Sequence, residues 1–220
     1  MAKPVIRRIL ELGHGSNSVP AQLPRGSFSK NTAYTGIDCP DAASRREGDV
    51  IFESVDAARN SSDNMLARAL RQASVLGDSG KERAEEVLKH RQMANELRTK
   101  HGLHQLEFLD IDAHAMPRQW NNRFEIVFAS DFFNAGAQDA ERLVREAHRV
   151  IKPGGVLVIT NIGPPAIPGI DGIREALAHR GFKKVDATKE KLPTEVGKWL
   201  EDDFTRKFTT SFRKKSKESV

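Results

Sequence analysis

One short stretch decides the fold: Glu11-Leu12-Gly13-His14-Gly15-Ser16-Asn17. It closes a run of β-branched and apolar residues, Val5–Leu12, which predicts a strand that ends in a glycine turn. Glycine lets the backbone turn sharply and lets a ligand approach without a Cβ in the way. Such a turn is typical of open α/β sheets, which bind their ligands beyond the carboxyl ends of the strands.

Strands and helices alternate along the rest of the chain. Four further segments predict strands: Ala33–Asp38, Leu106–Asp112, Phe124–Asp131 and Val156–Thr160. Three amphipathic segments predict helices: Lys81–Lys100, Ala140–Ile151 and Gly172–His179. Two last segments, Gly181–Val185 and Phe204–Phe212, predict a closing antiparallel pair. The expected fold is therefore α/β, with a Rossmann-like, doubly wound and mostly parallel sheet of seven strands.

Extra material follows the second predicted strand. Residues 43–80 have no place in a minimal alternation of strands and helices, and their apolar stripe predicts a helix over Ser62–Leu76. The segment is too short to bury a core of its own. We therefore predict a single domain over residues 1–220, with residues 43–80 as a helical insertion or lid.

The composition suits a globular protein, with 38% hydrophobic and 30% charged residues. No stretch reaches the roughly 20 consecutive apolar residues of a membrane helix, and no signal-peptide core precedes the first strand. Cys39 is the one cysteine, which excludes an intramolecular disulfide and a cysteine-rich metal site. His14, His114 and His148 lack the spacing of metal ligands. We expect a cytoplasmic protein with no bound metal and no membrane partner.

The positive charge is concentrated near the end of the sequence. The net charge is +5, and residues 206–220 hold six basic side chains against one acid, Glu218. A basic end of this kind is most often a solubilising segment. The other interpretation is an electrostatic contact with RNA phosphates.

Four motifs in strand order resemble those of class I S-adenosylmethionine-dependent methyltransferases. They are the acid-x-Gly-x-Gly turn at residues 11–15, the acid Asp38 at the end of the second strand, the Asp-Ala-x-x-Met-Pro segment at residues 112–117, and the Arg-Val-Ile-Lys-Pro-Gly-Gly segment at residues 149–155. The sequence departs from the family at Asn17, which replaces the third glycine, and at Glu125, where an aspartate is usual. Pro20 and Pro24 also predict a short or irregular first helix.

The resemblance implies a binding site for S-adenosylmethionine. Glu11, Gly13 and Gly15 would hold its methionine end, with help from free N–H groups at the start of the first helix. Asp38 would bind the ribose hydroxyls, and Ser130 would lie beside the reactive methyl group. The remaining implied contacts are to the adenine, whose amino group would face Asp112 and whose ring nitrogen would face the Ala113 N–H. Asp112 is preferred to Asp110 for this role because Ala113 and Pro117 fix the register of the motif.

The function implied is in-line methyl transfer to a small-molecule acceptor. No catalytic residue is named, because holding donor and acceptor in line can lower the barrier by about 7–11 kcal/mol without a dedicated base. Two alternatives stay open: an RNA methyltransferase that uses the basic end, and a non-catalytic subunit that only binds the cofactor. A nicotinamide-dependent dehydrogenase is disfavoured because the glycine turn lacks its third glycine and Tyr34, the single tyrosine, is not in a Tyr-x-x-x-Lys motif.

Overall fold

The computed structural model describes residues 5–13, 19–38, 92–130, 140–160, 170–186, 190–201 and 209–215. The strands are β1 Arg7–Leu12, β2 Thr32–Asp38, β3 Gln105–Asp110, β4 Phe124–Ser130, β5 Ile151–Thr160, β6 Phe182–Lys184 and β7 Thr209–Lys214. The helices are α1 Val19–Gln22, α2 over residues 92–101, α3 Ala140–Val150, α4 Ile170–His179 and α5 Thr194–Trp199, with a 3-10 turn at Arg118–Trp120.

The strands form one seven-stranded sheet in the order β3-β2-β1-β4-β5-β7-β6. The first five strands are parallel, whereas β7 is antiparallel to β5 and to β6. The predicted α/β class, the mostly parallel sheet and the closing antiparallel pair are thus confirmed.

Apolar side chains cover both faces of the sheet. Because strand residues alternate between faces, Leu10 and Leu12 of β1 join one core cluster and Ile9 joins the other. Helices α3 and α4 pack on the first face, with Leu143 and Leu177 among the buried residues. Helices α1, α2 and α5 pack on the second face. Parallel strands that are buried on both faces are apolar almost throughout, and the strands were predicted from this pattern.

The segment before Val156 is part of β5 and not a turn that precedes it. β5 begins at Ile151, and its residues 152–155 bulge out opposite the single residue Glu125 of β4. Gly154 has a φ of +78°, and a Cβ on Gly155 would lie 2.9 Å from the backbone oxygens of Glu125 and Lys152. The two glycines are therefore required by a bulge, in which Lys152 also pairs with Glu125.

The ends of two strands differ from the sequence prediction, and one helix was not predicted. β3 ends at Asp110, so that Asp112 belongs to the following turn. β7 occupies Thr209–Lys214 and reaches two residues beyond the predicted end. Helix α5 was not predicted, because a helix of six residues is too short to show a periodic apolar pattern.

The predicted insertion at residues 43–80, with its helix at Ser62–Leu76, lies outside the described residues. Helix α2 is the described end of the predicted Lys81–Lys100 helix. In the part of the chain that is described, no helix is long and apolar enough to cross a membrane.

Candidate functional site

The carboxyl ends of β1 to β4 bring most of the predicted site residues to one edge of the sheet. Gly13, Asp38 and Ser130 each come one position after residues that pair with one another across β1, β2 and β4. Asp38 pairs with Asp110, the last residue of β3, and Asp112 follows two positions later. Ligands of open parallel sheets bind at this edge.

Gly13 turns the chain away from β1. Its φ is +70°, which is a conformation that side chains with a Cβ rarely adopt, and its N–H donates to the carbonyl of Ile37 at 2.8 Å. The turn therefore needs a glycine at this position. Gly15 and His14 lie outside the described residues.

Glu11 is buried beneath the turn, and both of its carboxylate oxygens accept hydrogen bonds from the chain. The Tyr34 hydroxyl donates to Oε2 at 2.7 Å, and the Val19 N–H donates to Oε1 at 2.8 Å. Burial, followed by the negative charge of Glu11 and the hydrogen bond to it, raises the pKa of Tyr34 well above its ordinary value. Glu11 thus joins β1 to β2 and to the start of α1, across the ends of segment 14–18.

Two positions at the start of helix α1 have no N–H to offer an anionic group, while residues 14–18 lie outside the described residues. The helix has four residues, its first N–H belongs to Glu11, and Pro20 has no N–H. Helix α2 fixes it from the other side, because Lys100 Nζ donates to the carbonyl of Ala21 at 3.1 Å and the His101 ring contacts the Pro20 carbonyl at 2.8 Å. The prolines do leave the first helix short, as predicted.

The segment after β3 folds into a tight turn, which we call the 112–117 turn. Asp112 Oδ1 accepts hydrogen bonds from the His114 N–H at 2.8 Å and from the His114 ring at 3.0 Å. Partial burial acts to raise the pKa of Asp112, but the hydrogen bonds from His114 and the charge of Arg142 hold that pKa below its ordinary value. Ala113 and Met116 are buried in the core below.

Two polar groups of the 112–117 turn have no hydrogen-bond partner in the described part of the chain. They are the Oδ2 oxygen of Asp112 and the backbone N–H of Ala113. About a third of the Asp112 side chain, 36%, is exposed. One acceptor and one donor without a partner among the described residues are therefore adjacent here.

One face of helix α3 holds the 112–117 turn in place. Arg142 Nε donates to the His114 carbonyl at 3.0 Å, Glu146 Oε2 accepts from the Met116 N–H at 3.1 Å, and Arg149 Nη2 donates to the Met116 carbonyl at 2.7 Å. Residues spaced by three and four share a helix face. The hydrogen bond from Arg149 is the main cause that lowers the pKa of Glu146.

Sequence analysis did not identify two residues that organise this edge, Tyr34 and Glu146. The sequence offers a signal at Tyr34 alone, because a hydroxyl in an apolar strand needs a hydrogen-bond partner once it is buried. His148 lies half-buried against Phe182, with 5.4 Å between the ring centroids. Its pKa is lowered by burial and by the charge of Lys214. The residues described here contain no group of three His, Cys, Asp or Glu side chains that could hold a metal ion.

Comparison with known proteins gives a family for the chain. A family model described as a methyltransferase domain matches residues 62–213. The match begins after β2, so that Glu11, Gly13 and Asp38 lie outside it while Asp112 and Ala113 lie within it. No curated protein matches the chain.

Several solved structures of methyltransferases are similar to this chain at low sequence identity. The aminoglycoside resistance methyltransferase NpmB1 is 15% identical, with a TM-score of 0.50 over 94% of this chain and 87% of its own. The antibiotic-resistance methyltransferase Kmr is 11% identical, with a TM-score of 0.49 over 96% of this chain and 87% of its own. A SAM-dependent methyltransferase from Methanosarcina mazei is 17% identical, with a TM-score of 0.45 over 96% of this chain and 94% of its own. The first of these likenesses supports the fold class.

Proposed function

We propose a small-molecule methyl acceptor for this chain, which belongs to the methyltransferase-domain family and is an S-adenosylmethionine-dependent methyltransferase. The acceptor, the residues that bind the cofactor, and a cytoplasmic location are parts of this proposal. The single cysteine is consistent with that compartment.

The proposed cofactor site lies along the carboxyl edge of β1 to β4. Asp112 Oδ2 would accept a hydrogen bond from the adenine amino group, and the Ala113 N–H would donate to a ring nitrogen. Their lack of partners within the described chain supports this fit, because a donor and an acceptor side by side match an adenine edge. Asp38 would bind the ribose, and Gly13, Gly15 and Ser130 would lie along the methionine end.

In this proposal Glu11 supports the first turn, whereas the family resemblance implies that it holds the methionine end of the cofactor. Since both of its oxygens accept hydrogen bonds from Tyr34 and Val19, its carboxylate would hold the shape of the first turn. The backbone of that turn would then contact the cofactor.

When bound, S-adenosylmethionine supplies an electrophilic methyl group on a sulfonium sulfur. The task of the chain is to hold the donor and the acceptor in line and to exclude water. Such orientation is worth about 7–11 kcal/mol of barrier lowering. No catalytic base is assigned.

The contacts of two basic residues near the end of the sequence favour a small acceptor over RNA. Lys214 is buried in β7, and its Nζ donates to Asn122 and to two backbone carbonyls. Arg213 donates to the carbonyls of Gly154 and Lys191, and its Nε lies 3.5 Å from Oε2 of Glu190. Two of the six basic residues counted at the end of the sequence therefore serve the fold. The surplus left for phosphates is smaller than the sequence suggests.

A labelling experiment tests the proposal. The protein is incubated with methyl-labelled S-adenosylmethionine and, separately, with the small-molecule and RNA fractions of a cell extract, while calorimetry measures binding of S-adenosylhomocysteine and of NAD. We expect label in the small-molecule fraction and binding of the adenosyl ligand alone. Label in RNA would establish the RNA alternative. Binding without any transfer would indicate a non-catalytic subunit, and saturable binding of NAD alone would contradict the cofactor site.

A further inference from the structure

The guanidinium group of Arg149 uses all of its N–H groups on the segment after β3 and on Glu146. Nε and Nη2 donate to the two carboxylate oxygens of Glu146 at 3.0 and 2.6 Å. Nη2 also donates to the Met116 carbonyl at 2.7 Å. Nη1 donates to the Pro117 carbonyl at 3.3 Å and to Asn121 Oδ1 at 2.7 Å. An arginine offers five N–H donors in a fixed plane, and here each has an acceptor.

The Met116 peptide is held on both of its sides by this pair. Its N–H donates to Glu146 at 3.1 Å, and its carbonyl accepts from Arg149. The Arg149 side chain is 25% exposed and that of Glu146 is 14% exposed, so water competes weakly for these bonds. The far end of the 112–117 turn is thereby fixed to helix α3.

We propose that Arg149 is a positioning residue for adenine recognition, because it holds the 112–117 turn in the shape that presents Asp112 and the Ala113 N–H to the base. The inference rests on the proposed function, which assigns the adenine to this turn. Arg149 has no hydrogen bond to Asp112 and acts through the turn. Replacing Arg149 should therefore weaken the selection of one base over another, in addition to lowering the stability of the fold.

A lysine cannot replace Arg149 in this arrangement. Its ammonium group keeps the charge beside Glu146 but has three donors and no planar fork, so it cannot reach the two carbonyls, the carboxylate and Asn121 together. The variant Arg149→Lys therefore loosens the turn and leaves the net charge unchanged. Arg145→Lys is the matched control, since Arg145 is an exposed residue of the same helix outside this set of contacts.

The experiment measures the dissociation constants of S-adenosylhomocysteine and S-inosylhomocysteine for both variants and the wild type. The inosine base has a carbonyl in place of the amino group that Asp112 would bind. We expect the wild type to prefer the adenosyl ligand by about tenfold or more, which is the worth of one hydrogen bond to a charged group. In Arg149→Lys we expect this preference to fall at least threefold, and in Arg145→Lys to stay at the wild-type value.

A role in stability alone predicts another result. A folded Arg149→Lys variant that keeps the wild-type preference, whatever its melting temperature, would overturn the inference. If Arg149→Lys does not fold, Glu146→Gln replaces it, since the amide keeps an acceptor for Met116 and removes the charge that Arg149 binds. A wild type that binds the adenosyl ligand without preferring it over the inosyl ligand would also overturn the inference, while leaving methyl transfer intact. A wild type that binds neither would contradict the proposed function itself.

Discussion

The hydroxyl of Tyr34 donates a hydrogen bond to Oε2 of Glu11 at 2.7 Å, and both residues are almost completely buried. The other oxygen of Glu11 accepts from Val19, so one carboxylate connects β1, β2 and α1. A buried carboxylate is costly unless donors surround it. This contact is therefore a sensitive point of the first turn.

Tyr34→Phe should lower the free energy of unfolding by about 1–3 kcal/mol, because it removes one donor from a buried charged acceptor. Denaturant unfolding would measure the loss. The control is a double-mutant cycle with Glu11→Gln, in which the two changes should together cost less than the sum of their separate costs. Additive costs would mean that the two side chains act independently.

Asp38→Ala should weaken binding of S-adenosylhomocysteine by at least tenfold. The proposed site gives this carboxylate two ribose hydroxyls, and each hydrogen bond to a charged group is worth about 1.5–3 kcal/mol. Isothermal titration calorimetry would measure the change on a variant whose melting temperature is checked first. An unchanged dissociation constant would remove Asp38 from the site.

Asp112→Asn should change how stability depends on pH. The pKa of Asp112 is lower in the folded chain than its ordinary value of about 3.9. The ionised carboxylate thus stabilises the fold above that value, and this stabilisation is lost as the pH falls through the folded-state pKa. We expect the variant to melt below the wild type at pH 7 and the two melting temperatures to converge as the pH falls through the folded-state pKa of Asp112. A difference that stayed constant over this range would mean that the Asp112 charge does not contribute.

Gly155→Ala should be destabilising by about 1–3 kcal/mol, because its Cβ would lie 2.7 Å from Ile151 and 2.9 Å from two backbone oxygens. The matched control is Gly197→Ala in helix α5, where no atom lies within 4 Å of the added Cβ. That change should stabilise by about 0.4–1 kcal/mol, since alanine restricts the unfolded chain. Equal effects at the two sites would contradict the bulge as the reason for Gly155.

Removal of residues 216–220 should leave the melting temperature and cofactor affinity unchanged, because β7 ends at Lys214. Lys214→Met should cost at least about 1–3 kcal/mol, since it leaves buried carbonyls of His148 and Ile151 without their donor. Thermal melts of the two variants would separate these effects. A truncation that was as destabilising as Lys214→Met would show that the final residues also support the fold.

The sequence predicted the parallel strands well because these strands are buried on both faces and are apolar almost throughout. It misplaced the start of β5, since Pro153 and Gly154 look like a break in sequence but form a bulge whose register depends on β4. It also assigned Lys214 to a solvated end, because charge composition does not reveal burial. The partnership of Tyr34 with Glu11 joins residues 23 positions apart and depends on strand pairing, which local patterns do not encode.

The order of the sheet has a consequence for the newly made protein. In the sheet as described, β6 pairs with β7 alone, and β7 lies between β5 and β6 although it is the last of these seven strands to be synthesised. While the ribosome is still producing residues 209–214, β5 presents an open edge and β6 has no neighbour to bind. Open strand edges are the surfaces through which unfinished chains associate with one another. The exposed Lys183 and Lys184 of β6 place repulsive charge on a strand whose partner β7 is made after it.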